Sequence, residues 1–159
     1  MVGGVIFSTA GSRRDVIALD AATGELLWMH REAEGERATK APRQLSGHGL
    51  SYWTDGKTAR ILYVTIGYRL IPLDAGTGVP DPHFGKGGVV DLKQNDDQTM
   101  DLIEGDIGLH ATPAIAKNVV IVGASHTAGN VPRTHFNQTG YIRGFDVRTG
   151  KRLWIFHTI

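Results

Sequence analysis

The chain has 159 residues, with 17 Lys and Arg against 16 Asp and Glu, a formal net charge of +1. No strong field of one sign is therefore available to hold a nucleic acid. The absence of cysteine excludes disulfide frameworks, thiolate zinc sites and thiol nucleophiles together.

In chain order, the opening Met1-Val2-Gly3-Gly4-Val5-Ile6-Phe7 has no basic segment followed by a long apolar core, which reads as no signal peptide. Strands are predicted at residues 4–9 and 16–19. Residues 32–40 are charged and poor in caps, and predict a loop. Apolar runs at 60–66 and 61–73 predict further strands, and Gly85-Lys86-Gly87-Gly88 a turn, since it lacks the Lys-Ser/Thr ending of a phosphate loop. Asp96, Asp97, Asp101, Glu104 and Asp106 lack the EF-hand spacing and read as a solvated loop. Strands follow at 118–123 and 141–145. His126 and His135 lie in a turn-rich loop without metal-site pairing, and Asn137-Gln138-Thr139 fits the glycosylation acceptor pattern. No apolar run approaches the roughly 18 residues a membrane span needs. The closing Trp154-Ile155-Phe156-His157-Thr158-Ile159 reads as a strand cut short, and so as a fragment.

A repeat underlies these elements. Leu19-Asp20-Ala21-Ala22-Thr23-Gly24, Leu73-Asp74-Ala75-Gly76-Thr77-Gly78 and Phe145-Asp146-Val147-Arg148-Thr149-Gly150 share apolar-Asp-x-x-Thr-Gly. The outer two carry Trp28 and Trp154 eight positions after the Asp, where the middle copy has Pro82. Each copy predicts a hairpin. Asp accepts from backbone N–H groups one or two residues on, and Gly takes the left-handed conformation that a bulged loop requires. Short strands recurring this way predict an all-β fold, a partial β-propeller spanning 1–159 without a second domain. Its approximate blades are 1–29, 50–91 and 111–159. Three blades form an open arc, since rings close with about 4–8.

The Asp-x-x-Thr-Gly-x-x-x-Trp repeat resembles the tryptophan-docking motif of quinoproteins, eight-bladed dehydrogenases that carry pyrroloquinoline quinone (PQQ). Gly49-Leu50-Ser51-Tyr52-Trp53 is similar to a family strand, and Arg69-Leu70-Ile71-Pro72-Leu73-Asp74 with Asp81-Pro82-His83-Phe84-Gly85-Lys86-Gly87-Gly88 is similar to its second blade. Thr112-Pro113, Val119-Val120-Ile121-Val122-Gly123-Ala124-Ser125 and Gly140-Tyr141-Ile142-Arg143-Gly144-Phe145-Asp146 are similar to its third. The likeness is nearest to the glucose-dehydrogenase-like branch. The adjacent cysteine pair of the alcohol-oxidising members is missing, and Ser125-His126-Thr127-Ala128 has no carboxylate for calcium.

The resemblance implies three cofactor-binding positions. His110 matches a Thr or His that hydrogen-bonds the quinone; the plainer reading is a histidine satisfying backbone groups at a blade entrance. His48 stands where the family usually has an Arg, and an imidazole cannot copy the two-pronged grip of a guanidinium. Ser125 begins a loop that contacts the cofactor. No catalytic or metal-ligating residue is assigned to this chain.

The function implied is oxidation of a sugar or alcohol hydroxyl at bound PQQ with a divalent cation, calcium or magnesium, in the full-length enzyme. Electrons pass to a quinone pool or a cytochrome, and the location is periplasmic. The catalytic Asp and its basic partner are expected outside this chain, which alone is expected to be inactive and to need the remaining blades. Nucleic acid is not an expected partner, and no membrane span is expected in this chain. The rival is a non-enzymatic propeller scaffold binding protein partners. His110 with Thr112-Pro113, and Tyr52-Trp53, are the features a scaffold has no evident need to keep.

Overall fold

The computed structural model describes residues 1–45, 49–127 and 138–158. Among them, three antiparallel meanders follow one another along the chain. The first sheet is β1 (Val5–Ala10), β2 (Asp15–Asp20) and β3 (Leu26–His30). The second is β4 (Ser51–Thr54), β5 (Ala59–Val64), β6 (Arg69–Asp74) and β7 (Val90–Asp91). The third is β8 (Ala114–Ala116), β9 (Val119–Val122), β10 (Ile142–Asp146) and β11 (Arg152–Phe156). The expected all-β architecture of a partial propeller is thus observed.

Alternation along β5 explains why its sequence is apolar throughout. Ile61 and Tyr63 enter a cluster with Val16, Ile71 and Leu73, on the side of the first sheet. Leu62 and Val64 enter the opposite cluster, with Trp53, Phe84, Val120 and Phe145, on the side of the third. The middle sheet is therefore covered on both faces, and both alternate sets must be apolar. The outer sheets keep exposed apolar side chains, Leu26 and Met29 on the first and Trp154 and Phe156 on the third.

The three turns share one hydrogen-bond pattern. Asp20 Oδ1 accepts from the N–H groups of Ala22 (2.9 Å) and Thr23 (2.8 Å) and from the Thr23 hydroxyl (3.1 Å). Asp74 and Asp146 repeat this with Gly76 and Thr77, and with Arg148 and Thr149. The carboxylate thus reaches two and three residues on, not one or two. Gly24, Gly78 and Gly150 have φ of +75°, +72° and +71°, the left-handed region in which a side chain would be strained.

Only the first and third turns join two strands directly. After Gly78 the chain makes a single bridge, Leu73 to Pro80, and returns to the sheet as β7. Pro80 and Pro82 lack the N–H that a continuing strand needs. The excursion has its own use. Trp28 of the first copy donates its Nε1–H to Ala75 O at 3.1 Å and covers Gly78. At the next junction Pro82 replaces tryptophan, and its neighbours do this work. The Gly85 N–H donates to Thr149 O at 2.9 Å, and fully buried Phe84 lies against Gly150.

Residues 32–40 are not wholly the loop expected. They include one helical turn, α1 (Glu36–Thr39). Glu34 accepts from the Thr65 hydroxyl and the Gly67 N–H, both at 2.7 Å. Buried Arg37 grips Asp91 in two prongs at 2.7 and 2.6 Å, and donates to Gly67 O at 2.6 Å. Burial raises the Asp91 carboxyl, but bonding and charge from Arg37 outweigh that and leave it below its ordinary 3.8. The stability this supplies is complete above the ordinary value and is lost as pH falls through the lowered folded one. Asp91→Asn in the full-length protein is expected to cost about 1.5–3 kcal/mol at neutral pH. The gap to wild type should close in acid; denaturant unfolding across pH checks it, and a pH-independent gap contradicts it.

Candidate cofactor-binding site

The segment leading into β8 is fixed by a buried stretch, residues 107–109, followed by an exposed one, residues 110–112. Ile107 and Leu109 are inserted in the core, while His110, Ala111 and Thr112 are exposed and Pro113 is buried. On one side of His110, Gly108 and Ser125 exchange both backbone hydrogen bonds, at 2.9 and 2.8 Å. On the other, Thr112 packs so closely on Gly49 that a Cβ there would overlap its side chain, and the Ser51 hydroxyl donates to Pro113 O. His110 thus stands between a contact to Ser125 and a contact to the residue that follows His48. His48 itself lies outside the described residues, as does His135.

His110 makes no hydrogen bond or ion pair among the described residues, so it does not satisfy the backbone groups that the plainer reading assigned to it. The Ser125 loop is held from below, because the Tyr68 hydroxyl donates to Gly123 O at 2.6 Å. Burial pushes that hydroxyl up to about 12, keeping it a protonated donor at neutral pH. His126 Nδ1 lies 2.8 Å from Asp106 O, and the Thr127 hydroxyl donates to the Asp106 carboxylate at 2.6 Å. Part of the acidic stretch is therefore structural, which its charge run did not disclose.

Tyr52 and Trp53 both serve as joints between sheets. The Tyr52 ring stacks on Phe7 of the first sheet at 6.3 Å. Trp53, on the opposite face, donates to Lys117 O at 3.1 Å, and the Arg148 guanidinium lies over its ring at 4.6 Å. Any stack of these sheets needs such joints, so the case for a ligand rests on the segment around His110.

Arg43 escaped the sequence reading, being one arginine in a stretch without a motif. Its Cβ and Cγ lie 3.3 and 3.4 Å from where a Gly108 Cβ would stand, so the absent side chain admits it beside the His110 segment. Its Nε is buried without a hydrogen-bond partner.

Residues 1–159 match the family model described as PQQ: Glucose/ethanol/alcohol dehydrogenase, beta-propeller domain. The chain is similar to the Glycerol dehydrogenase large subunit of Gluconobacter oxydans (strain 621H), 31% identical over 150 residues, covering 90% of this chain and 19% of that protein. Quinoprotein glucose dehydrogenase A of Acinetobacter calcoaceticus is 28% identical over 167 residues, covering 92% and 20%. The crystal structure of a quinohemoprotein alcohol dehydrogenase from Comamonas testosteroni superposes with a TM-score of 0.73 at 22% identity, covering 100% and 20%, and shows the common fold. The chain spans about a fifth of the length of the curated relatives it matches. It belongs to the β-propeller family of PQQ-dependent glucose, ethanol and alcohol dehydrogenases.

Proposed function

We propose that this chain supplies part of the propeller of a PQQ-dependent dehydrogenase that oxidises an alcohol or sugar hydroxyl, and that His110, Ser125 and His48 contribute to its cofactor floor. The observation that carries this reading is His110: exposed, unpartnered among the described residues, and set in a segment tied to both Ser125 and Gly49. The residues suit an anionic quinone. An imidazole and a hydroxyl can donate to its oxygens, and the buried, unpartnered Nε of Arg43 is a donor in want of an acceptor. Gly49 and Gly108 let the two neighbouring segments close on the one that carries His110.

When bound, PQQ supplies the two-electron acceptor, with a divalent cation, calcium or magnesium, to polarise it. This chain's part is to bind and orient that group through His110 and Ser125. The catalytic carboxylate and its basic partner are assigned to sequence outside the chain, the electron acceptor to a quinone pool or a cytochrome, and the location to the periplasm. Among the described residues, no helix is long and apolar enough to cross a membrane.

The test is titration of the full-length apo protein with PQQ, followed by dye-linked oxidation of glycerol, ethanol and glucose with calcium present. Saturable binding and PQQ-dependent turnover are expected; failure to bind PQQ overturns the reading. His110→Ala is expected to weaken PQQ about 10- to 150-fold, through loss of one hydrogen bond to a charged group. Because His110 is exposed, the apo melt should stay within a degree or so of wild type. Unchanged affinity would remove His110 from the site.

A further inference from the structure

We infer that Tyr68 is a positioning residue for the cofactor, its hydroxyl setting the course of the chain from β9 to Ser125; this rests on the PQQ reading above. A tyrosine stands here where the backbone calls for glycine. The turn from β5 to β6 closes on Tyr68 at φ +64°, with its N–H donating to Thr65 O at 3.1 Å. That left-handed position closes many hairpin loops and usually holds glycine, since a bulky side chain is strained there. A glycine does occur, but one residue too early, at Gly67, where a Cβ would lie 2.6 Å from Glu34 Oε1. The turn therefore carries strain at Tyr68, and what the side chain reaches supplies the reason.

Tyr68 is fully buried in the core shared by the second and third sheets. A phenylalanine would fill that space, so the hydroxyl is what distinguishes the residue. It donates to Gly123 O at 2.6 Å, one residue beyond the end of β9. It accepts from Arg143 Nη2 at 3.3 Å, and Arg143 is paired in turn with buried Asp96 at 3.1 Å. Gly123 and Ala124 lie outside any strand, and Ser125 is next fixed by the two bonds it exchanges with Gly108. Glycine leaves the backbone of that gap pliant, and the phenol pins its carbonyl from another sheet. The contact thus ties Ser125 and Gly108, and with them the segment that carries His110, to the frame of the second sheet. A group locked by packing and hydrogen bonds on both sides is how a scaffold orients residues that meet a ligand. Tyr68 is sealed from solvent, so it acts through Ser125.

Tyr68→Phe in the full-length apo protein removes the hydroxyl and keeps the ring and its packing. Fluorescence titration with PQQ, well below the melting temperature so that only folded protein is sampled, is expected to show an affinity about 3- to 30-fold weaker. In a Ser125→Ala background the same substitution should cost little more, because a residue acting through Ser125 is not additive with it. Hydrogen exchange of the apo protein gives a readout without cofactor. Peptides covering residues 105–112 and 122–127 should exchange faster in Tyr68→Phe, with those of β5 and β10 unchanged. Equal PQQ affinity in Tyr68→Phe and wild type overturns the assignment while leaving the PQQ reading standing. So do full additivity with Ser125→Ala, unchanged exchange in the two peptides, or exchange that quickens throughout the sheets, which would make Tyr68 structural. Wild type that binds no PQQ overturns the cofactor reading itself, and this assignment with it.

Discussion

Gly78→Ala is expected to cost the full-length protein about 2–4 kcal/mol, whereas the same change at Gly24 should cost about 1 kcal/mol. Both glycines close the same turn with nearly the same φ, +72° and +75°, so the backbone strain is common to both. They differ in what lies above them. A Cβ on Gly24 meets nothing within 4 Å, while one on Gly78 would overlap Trp28 and lie 2.7 Å from its Cδ2. Trp28 cannot retreat freely, since its Nε1–H is bonded to Ala75 O and its ring is 5.9 Å from that of Phe7. Denaturant unfolding of the two single variants separates strain from collision. In a Trp28→Ala background the extra cost at Gly78 should disappear, and equal costs in wild type would show that the tryptophan does not press on the turn.

These turns were legible in the sequence because their chemistry is local. Asp, Thr and Gly at fixed offsets bond one another whatever the rest of the chain does, although the carboxylate reaches one residue further than expected and the middle turn does not join two strands directly. The middle copy was recognisable as degenerate from Pro82, but its substitute was not. Phe84 and Gly85 reach the third turn only because the detour after Pro80 folds back, a tertiary event without a local signal. Charged residues were the least legible. Arg37 and Asp91 are 54 positions apart, and a carboxylate with a distant partner looks the same in sequence as a solvated one. The same holds for the site: a family likeness could single out His110 and Ser125, but Arg43 became visible only when Gly108 was seen beside it.

Arg143→Met is expected to destabilise the full-length protein by about 3–5 kcal/mol, because it strands a buried carboxylate. Asp96, read from sequence as part of a solvated acidic stretch, is 2% exposed at its side chain, and Arg143 is 1% exposed and 3.1 Å away. Arg143 also donates to Leu92 O at 2.7 Å and to the Tyr68 hydroxyl at 3.3 Å. Methionine fills much of the volume, so the loss is mainly electrostatic and not that of a cavity. Burial holds the Asp96 carboxyl above its ordinary value, and the charge of Arg143 is the largest influence opposing it. Without Arg143 the folded pKa rises further. A raised folded value means that the group's stability contribution is fully present below the unfolded pKa and is lost as pH rises through the folded one. The variant should therefore be worst at neutral pH and approach wild type as mild acid protonates Asp96, the reverse of ordinary acid unfolding. Adding Asp96→Asn should restore much of the neutral-pH loss by removing the stranded charge. Because Tyr68 also holds Gly123, two residues before Ser125, Arg143→Met should weaken PQQ binding while the double variant recovers part of it. A loss that stays constant with pH and is not relieved by Asp96→Asn would mean that Arg143 contributes packing and its carbonyl bond alone.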